Sequence, residues 1–296
     1  MKITDRSNDK ISTPLFSILI PTWNNLAFLK LCVNSIHRNS RYTHQIILHI
    51  NEGSDGSREW AETEGIDHTC SDENIGVCDA LNFAYTLAKS DFIVYLNDDM
   101  YLCPDWDHYL WEAIEEAGND MFFFSATAIE PKDVGKKCAI APYSFGRTVA
   151  GFEEERLLET FDKLSFSDWN GASWPPNIVH RRLWVLVGGY SSEFFPGFYS
   201  DPDFAMKLWQ AGVRNFRGIS KSRAYHFLEV STNKLKKEKV RLANGLFLKK
   251  WGISAKMFNR FYLRMGTPFD GLLKEPEQGI GYVWKMLCCK VKRAFV

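Results

Sequence analysis

The segment Phe92-Ile93-Val94-Tyr95-Leu96-Asn97-Asp98-Asp99 joins an apolar run of strand character to an amide and two carboxylates. A strand entering a packed sheet needs hydrophobic side chains, and nothing about folding asks for acids at its carboxyl end. That end is where open α/β sheets bind ligands. Asn97, Asp98 and Asp99 side by side offer hard oxygen donors, which suit Mg²⁺ or Mn²⁺ bridging to a substrate phosphate. The competing reading is an Asx-rich turn after a buried strand. Three further segments bear on the choice: Pro21-Thr22-Trp23-Asn24, the turn Asn51-Glu52-Gly53-Ser54-Asp55-Gly56-Ser57, and Ser200-Asp201-Pro202-Asp203-Phe204.

Each of these segments adjoins a predicted element. A strand over Phe16 to Ile20 is closed by Pro21, and a helix follows from Leu26 to Arg38, with Phe28, Leu29, Cys32, Val33 and Ile36 on one face. Gln45 to Ile50 reads as a second strand, ending in the Asx- and Gly-rich turn. Val77 to Lys89 places Val77, Ala80, Leu81, Ala84 and Ala88 at amphipathic-helix spacing. Asp91 to Leu96 is the strand that leads into the acids. A helix from Asp105 to Ala117 and a strand from Met121 to Ala126 complete a β-α-β-α alternation. That alternation predicts an α/β fold: a Rossmann-like, mainly parallel sheet with helices on both faces. Residues 130–168 lose the regularity and read as loops over a site or a short hairpin excursion. Helices return at His180 to Val187, stopped by Gly188-Gly189, and at Pro202 to Ala211, stopped by Gly212. Such a fold gathers the four segments at one sheet edge.

The 296 residues suffice for one large α/β domain, or one domain with an appendage. Hydrophobic content of 45% and charged content of 24% are those of a globular protein. The 10 Trp offer faces suited to sugar rings. The 7 Cys are scattered without paired C-x₂-C clusters, and no signal peptide precedes the first strand, so reduced thiols and a cytoplasmic setting are expected. No apolar run approaches the roughly 20 residues of a membrane span. The net charge of zero hides an asymmetry: from Lys221 onward there are 17 Lys and Arg against 5 Asp and Glu. Such segregation predicts a tail with an anionic partner.

In this order the motifs resemble the inverting family-2 glycosyltransferases of the GT-A fold. Pro21-Thr22-Trp23-Asn24 matches that family's P-x-[YW]-N, and the Asn51 to Ser57 turn matches its D-[ND]-G-S-x-D-G-S, one residue shorter and with Asn first. Asn74-Ile75-Gly76-Val77-Cys78-Asp79-Ala80-Leu81-Asn82 matches N-x-G-x₃-A-x-N. Asn97-Asp98-Asp99 stands for the D-x-D signature, with Asn for the first acid. Gly171-Ala172 and Gly188-Gly189-Tyr190 follow, and Ser200-Asp201-Pro202-Asp203-Phe204 stands for E-D-x-D-[LF], with Ser for Glu. The resemblance covers roughly residues 16–228.

The resemblance implies a metal-dependent enzyme that moves a sugar from a nucleotide-diphosphate donor to a saccharide hydroxyl, with inversion. Pro21, Thr22, Trp23, Asn51 and Asn74 would line the donor site, with Trp23 near the base, and Asp98 would reach the ribose. Asp99, His226 and Asn97 would hold Mn²⁺ or Mg²⁺, and Asp201 would be the general base. Surface polysaccharide or lipid-linked glycan synthesis is the implied setting. Residues 1–228 would form the transferase domain, the nucleotide-sugar half about 14–128 and the acceptor half about 129–228, with 229–296 a basic helical extension.

Plainer roles compete at several positions. Asp201 precedes Pro202 where a helix N-cap belongs, and a helix N-terminus lowers a carboxylate's pKa, which weakens a base. Core packing competes for Trp23 and for His226. Trp169, Asn170 and Trp174 read either as an acceptor platform or as a packed lid. From Ile280, residues Val283, Trp284, Leu287, Val291, Ala294 and Phe295 keep helical spacing with Lys285, Lys290, Lys292 and Arg293 around them. This pattern fits a basic amphipathic helix lying on an anionic membrane surface, peripheral on its inner face, or a helix docked on the protein or a partner. Nucleic acid is not an expected partner. Two other functional classes remain: a non-catalytic nucleotide-sugar or glycan-binding protein derived from such a transferase, and a sugar-phosphate nucleotidyltransferase. The latter wants a Gly-rich basic loop after the first strand, which Pro21-Thr22-Trp23-Asn24-Asn25 is not.

Overall fold

The computed structural model describes residues 3–6, 13–228 and 236–295. In chain order the elements are β1 (Ile3–Arg6), β2 (Ser17–Trp23), α1 (Leu26–Asn39), β3 (Gln45–Asn51), α2 (Ser57–Glu64), β4 (Asp67–Ser71), α3 (Gly76–Tyr85), β5 (Phe92–Tyr95) and β6 (Met100–Leu102). They continue with α4 (Trp106–Ala117), β7 (Phe122–Ile129), β8 (Ala139–Ile140), α5 (Glu154–Thr160), β9 (Trp169–Asn170), β10 (Asn177–His180), α6 (Arg181–Val187), α7 (Ser200–Gln210), β11 (Asn215–His226), α8 (Lys236–Trp251), α9 (Ala255–Met257) and α10 (Ile280–Arg293).

One sheet runs in the order β1-β4-β3-β2-β5-β10-β7-β11-β6, with β8 on β7 and β9 on β11. Its centre, β4-β3-β2-β5, is parallel, as the alternation predicted. β10 runs antiparallel between β5 and β7, and β11 runs parallel to β7. β2, β3, β4, β5, β7 and β11 therefore all point the same way, and their carboxyl ends share one edge.

Successive strand residues face opposite sides, and the sequence uses both. Ile18, Ile20, Ile46, Leu48, Val94, Phe122 and Phe124 pack with Leu29, Cys32 and Val33 of α1 and with Trp106, Leu110 and Ile114 of α4. The intervening Leu19, Ile47, Ile93 and Phe123 pack on the other side with Leu81 of α3, Trp184 of α6 and Phe204 and Leu208 of α7. Phe247, Leu248, Phe258, Leu263 and Cys289 belong to this second core, so residues after 235 pack directly against the sheet domain. Asp203 fastens them: its carboxylate accepts from Trp251 Nε1 at 2.8 Å and Ser191 Oγ at 2.7 Å, with Lys250 Nζ at 2.9 Å.

Some elements differ from expectation. β2 continues through Pro21 to Trp23, because β5 pairs only as far as Leu19 and a missing N–H is tolerated where a neighbour has stopped. α3 ends at Tyr85, short of Lys89. Its last turn tightens to i→i−3 bonds from Thr86, Leu87 and Ala88, and the Lys89 N–H goes to Ser17 Oγ and Gln45 Oε1. β4, Asp-His-Thr-Cys-Ser, has no hydrophobic signature yet is wholly buried. Side chains satisfy one another there: Gln45 Nε2 donates to Asp67 Oδ2 at 2.6 Å, and His49 Nδ1 lies 2.7 Å from Thr69 Oγ1. Burial without a charged partner pushes the His49 imidazole down to about 4.

Candidate active site

A cleft of about 740 Å³ opens at the carboxyl ends of β2, β3 and β5, within the size range of small-ligand sites. Pro21, Thr22, Trp23, Asn51, Asn74, Asn97, Asp98, Asp99 and Asp201 all line it. A second cavity of about 420 Å³, between α1 and α2, lies at the opposite strand ends near Gln45 and Asp67 and gathers none of these residues.

The donor-side wall is built by short polar links. Thr22 Oγ1 donates to Asp98 Oδ2 at 2.7 Å, tying β2 to the acids after β5. Asn51 is buried; its Nδ2 donates to the Thr22 carbonyl at 3.2 Å and its Oδ1 accepts from the Ile75 N–H at 2.9 Å. Asn74 Oδ1 accepts from the Gly76 N–H, opening α3. Asp55 joins two helix starts, accepting from Leu26 N–H and from Ser57 N–H and Oγ. Trp23 is not core: it is 47% exposed at the cleft.

Gly76 closes the wall. A Cβ there would meet Phe195 Cδ2 at 2.8 Å and Pro196 O at 3.0 Å, and its φ is +77°. Only glycine accepts both. The Val77 N–H then donates to the Pro196 carbonyl at 2.9 Å, bringing the segment before α7, and with it Asp201, to the cleft.

His226 is placed by register. β11 pairs antiparallel with β6, setting His226 opposite Met100, and the Phe227 N–H donates to the Asp99 carbonyl at 3.1 Å. His226 Nε2 then lies 3.4 Å from Asp99 Oδ1, and Nδ1 lies 3.5 Å from Glu130 Oε1. Glu130, at the end of β7, is buried and also takes Lys136 Nζ at 2.8 Å. Burial opposes a charged imidazole, but the Asp99 and Glu130 carboxylates outweigh it and raise His226 to about 9. Burial likewise disfavours the charged Glu130, while His226 and Lys136 bring it below the usual carboxylate range. Glu130 escaped the sequence reading because no motif marks it; an acid closing the apolar run of β7 was the available signal.

The Asp99 carboxylate at the cleft and the His226 imidazole 3.4 Å behind it could together hold a divalent cation that accepts mixed oxygen and nitrogen donors. Among the described residues no group of three or more His, Cys, Asp or Glu is placed to hold a metal. Asp99 and His226 supply two candidate protein donors for such an ion.

Asp201 lies in the first turn of α7, whose N-cap is Tyr199, so it is not the cap. Its Oδ1 is enclosed and has no hydrogen-bond partner among the described residues. Burial raises its pKa to about 7, and the nearby Tyr190 hydroxyl moderates the rise. The rise corresponds to about 4 kcal/mol, more than the ~0.3–2 kcal/mol by which a helix N-terminus favours a carboxylate.

Trp169 and Asn170 do not form an acceptor platform. The Trp169 ring is buried against Gly218, where a Cβ would lie 1.8 Å from Cε2, and its Nε1 donates to Thr127 Oγ1. The Asn170 amide is taken up by Thr267, Pro268 and Asp270. The segment following α9 occupies this face, which local sequence did not reveal. Trp174 is half-buried under Lys136.

A mixed sheet with a parallel centre, helices on both faces and an acidic strand end opening into the cleft defines a GT-A fold. Residues 17–170 match the profile of glycosyl transferase family 2, and the chain belongs to that family. EpsH of Bacillus subtilis (strain 168), a provisionally named glycosyltransferase, is 25% identical over 182 residues, covering 59% of this chain and 49% of EpsH. The chain thus spans about half the length of that relative. Among solved structures, S. aureus TarS 1-349 superposes with a TM-score of 0.56 at 14% identity, over 95% of this chain and 71% of that one. TarS 1-349 in complex with UDP-GlcNAc gives a TM-score of 0.54 at 14% identity, over 95% and 72%. At these identities the likeness is one of fold.

Proposed function

We propose that this chain transfers a sugar from a nucleotide-diphosphate donor to a saccharide hydroxyl, with inversion. The observation that carries the reading is Asp201: it lines the same cleft as the strand-end acids, one of its oxygens is shut off from solvent without a partner, and desolvation pushes it up to about 7. A general base works best when its pKa lies near the operating pH, and such help contributes about 10²–10⁴-fold. Asp201 takes the acceptor hydroxyl's proton, and one displacement at the anomeric carbon inverts its configuration.

Asp99, His226 and Asn97 would hold a divalent ion, Mn²⁺ or Mg²⁺. When bound, the ion neutralises charge growing on the leaving diphosphate. Thr22 orients Asp98 toward the ribose, and Pro21, Trp23, Asn51 and Asn74 shape the nucleoside wall. Residues about 14–128 supply the donor side and 129–228 the acceptor side, and the described residues after 235, which include α8 and α10, form a basic extension. The acceptor class we favour is a growing surface polysaccharide or lipid-linked glycan.

The test is a thermal-shift panel of UDP, GDP, dTDP, ADP and CMP with Mn²⁺ or with EDTA, followed by transfer assays with sugars of the stabilising nucleotide. The UDP-GlcNAc complex of the TarS neighbour makes uridine donors the first to try. A metal-dependent rise with one diphosphate is expected. Donor binding without turnover, unchanged in Asp201→Asn, would instead favour the non-catalytic binding protein.

A further inference from the structure

α10 docks on the protein through one face and turns an apolar face away from it. Tyr282, Met286 and Cys289 point inward: Tyr282 Oη is 3.0 Å from Tyr262 Oη, its ring meets Phe261 edge-on at 5.5 Å, and Cys289 is buried beside Met257. With 3.6 residues per turn, the diametrically opposite side carries Ile280, Val283, Trp284, Leu287 and Val291. Those five are between 46% and 91% exposed, and Phe295 just beyond the helix is 86% exposed. A docked surface helix ordinarily shows water its polar side; here the large apolar side chains form one continuous outward row, which marks an interaction site. Exposed Lys285 and Lys292 flank the row on one side and Lys290 on the other. Residues 280–296 contain no Asp or Glu. Among the described residues no helix is long and apolar enough to cross a membrane.

We propose that this face of α10 lies flat on an anionic lipid surface, the apolar row at the acyl boundary and the lysines among the headgroups. A basic amphipathic helix buries its apolar side about 5–10 Å into that boundary, and anionic headgroups attract the flanking cations. A second copy of the chain fits less well. Pairing two such faces would gather the lysines of both helices, with no acid on either to meet them. Binding to lipid does not rest on the proposed transfer reaction; only its use, holding the cleft near lipid-linked acceptors at the inner membrane face, does.

The experiment is co-sedimentation of the full chain with vesicles of phosphatidylglycerol and phosphatidylethanolamine, and with vesicles of phosphatidylcholine alone. The anionic vesicles should carry the protein down, the neutral ones should leave it in solution, and raised salt should weaken the binding. Trp284→Glu/Leu287→Glu, on the exposed row, should weaken anionic-vesicle binding about tenfold or more and leave the unfolding temperature unchanged. Lys285→Ser/Lys290→Ser/Lys292→Ser, a second variant that keeps the apolar row, should lose the preference for anionic vesicles. Failure of the wild-type chain to sediment, or equal binding to both vesicle types, would overturn the proposal. So would a dimer that forms in place of vesicle binding and is dissolved by the glutamate variant.

Discussion

His226 Nε2 stands 3.4 Å from Asp99 Oδ1. The two residues are far apart in sequence and meet because β6 and β11 pair in a register that sets His226 opposite Met100. Asp99→Ala should therefore abolish the metal-dependent part of nucleotide stabilisation, while a smaller shift with nucleotide in EDTA persists. Thermal unfolding with and without Mn²⁺ measures this. A full Mn²⁺-dependent shift retained in Asp99→Ala would show that the ion sits elsewhere.

Glu130 faces the other ring nitrogen of His226, at 3.5 Å. Carboxylates behind a metal-binding histidine orient its ring, and removing one costs about 10–100-fold in metal affinity. Glu130→Gln should weaken Mn²⁺ binding by that factor in calorimetric titration, and leave metal-free nucleotide binding as it was. Equal weakening of both would mean that Glu130 only supports the fold.

Asp201 ties catalysis to pH. As the base it must be ionised, so kcat should rise with pH through about 7 and level off above. The same burial costs stability: the raised pKa favours the neutral form, so its contribution is complete below about pH 4 and is lost as pH rises through about 7. Asp201→Asn should then be inactive yet more stable at pH 8, by up to about 4 kcal/mol, with little difference at pH 4. Denaturant unfolding at the two pH values decides; a variant less stable at pH 8 would refute the assignment of a base raised by desolvation.

Thr22 holds Asp98 through a 2.7 Å hydrogen bond. Hydrogen bonds to charged groups contribute about 1.5–3 kcal/mol. Thr22→Val keeps the shape and removes the donor, so donor KM should rise about tenfold with kcat little changed. A fall in kcat at constant KM would place Asp98 in the chemical step instead.

Much of this site was legible locally. Apolar strands with period-2 packing, Asx turns at their ends and an acid at a helix start are short-range patterns, and Pro21, Asn51, Asn97 to Asp99 and Asp201 all mark such places. β4 was not legible, because its polar residues are buried by pairing with Gln45 and His49 rather than by hydrophobicity. Trp169 and Asn170 look like sugar-stacking residues until the later segment that covers them is in place.

The amino-acid sequence by itself determined the family, the α/β alternation and the residue types at the cleft, since each is written in neighbouring positions. Only the tertiary structure decided three things: that desolvation lifts the Asp201 carboxyl to about 7, that Glu130 stands behind His226, and that the apolar row of α10 faces outward. The reason is common to all three. Burial, the approach of two charges and the side of a helix that docks are sums over residues distant in the chain, and spacing along the chain does not encode them.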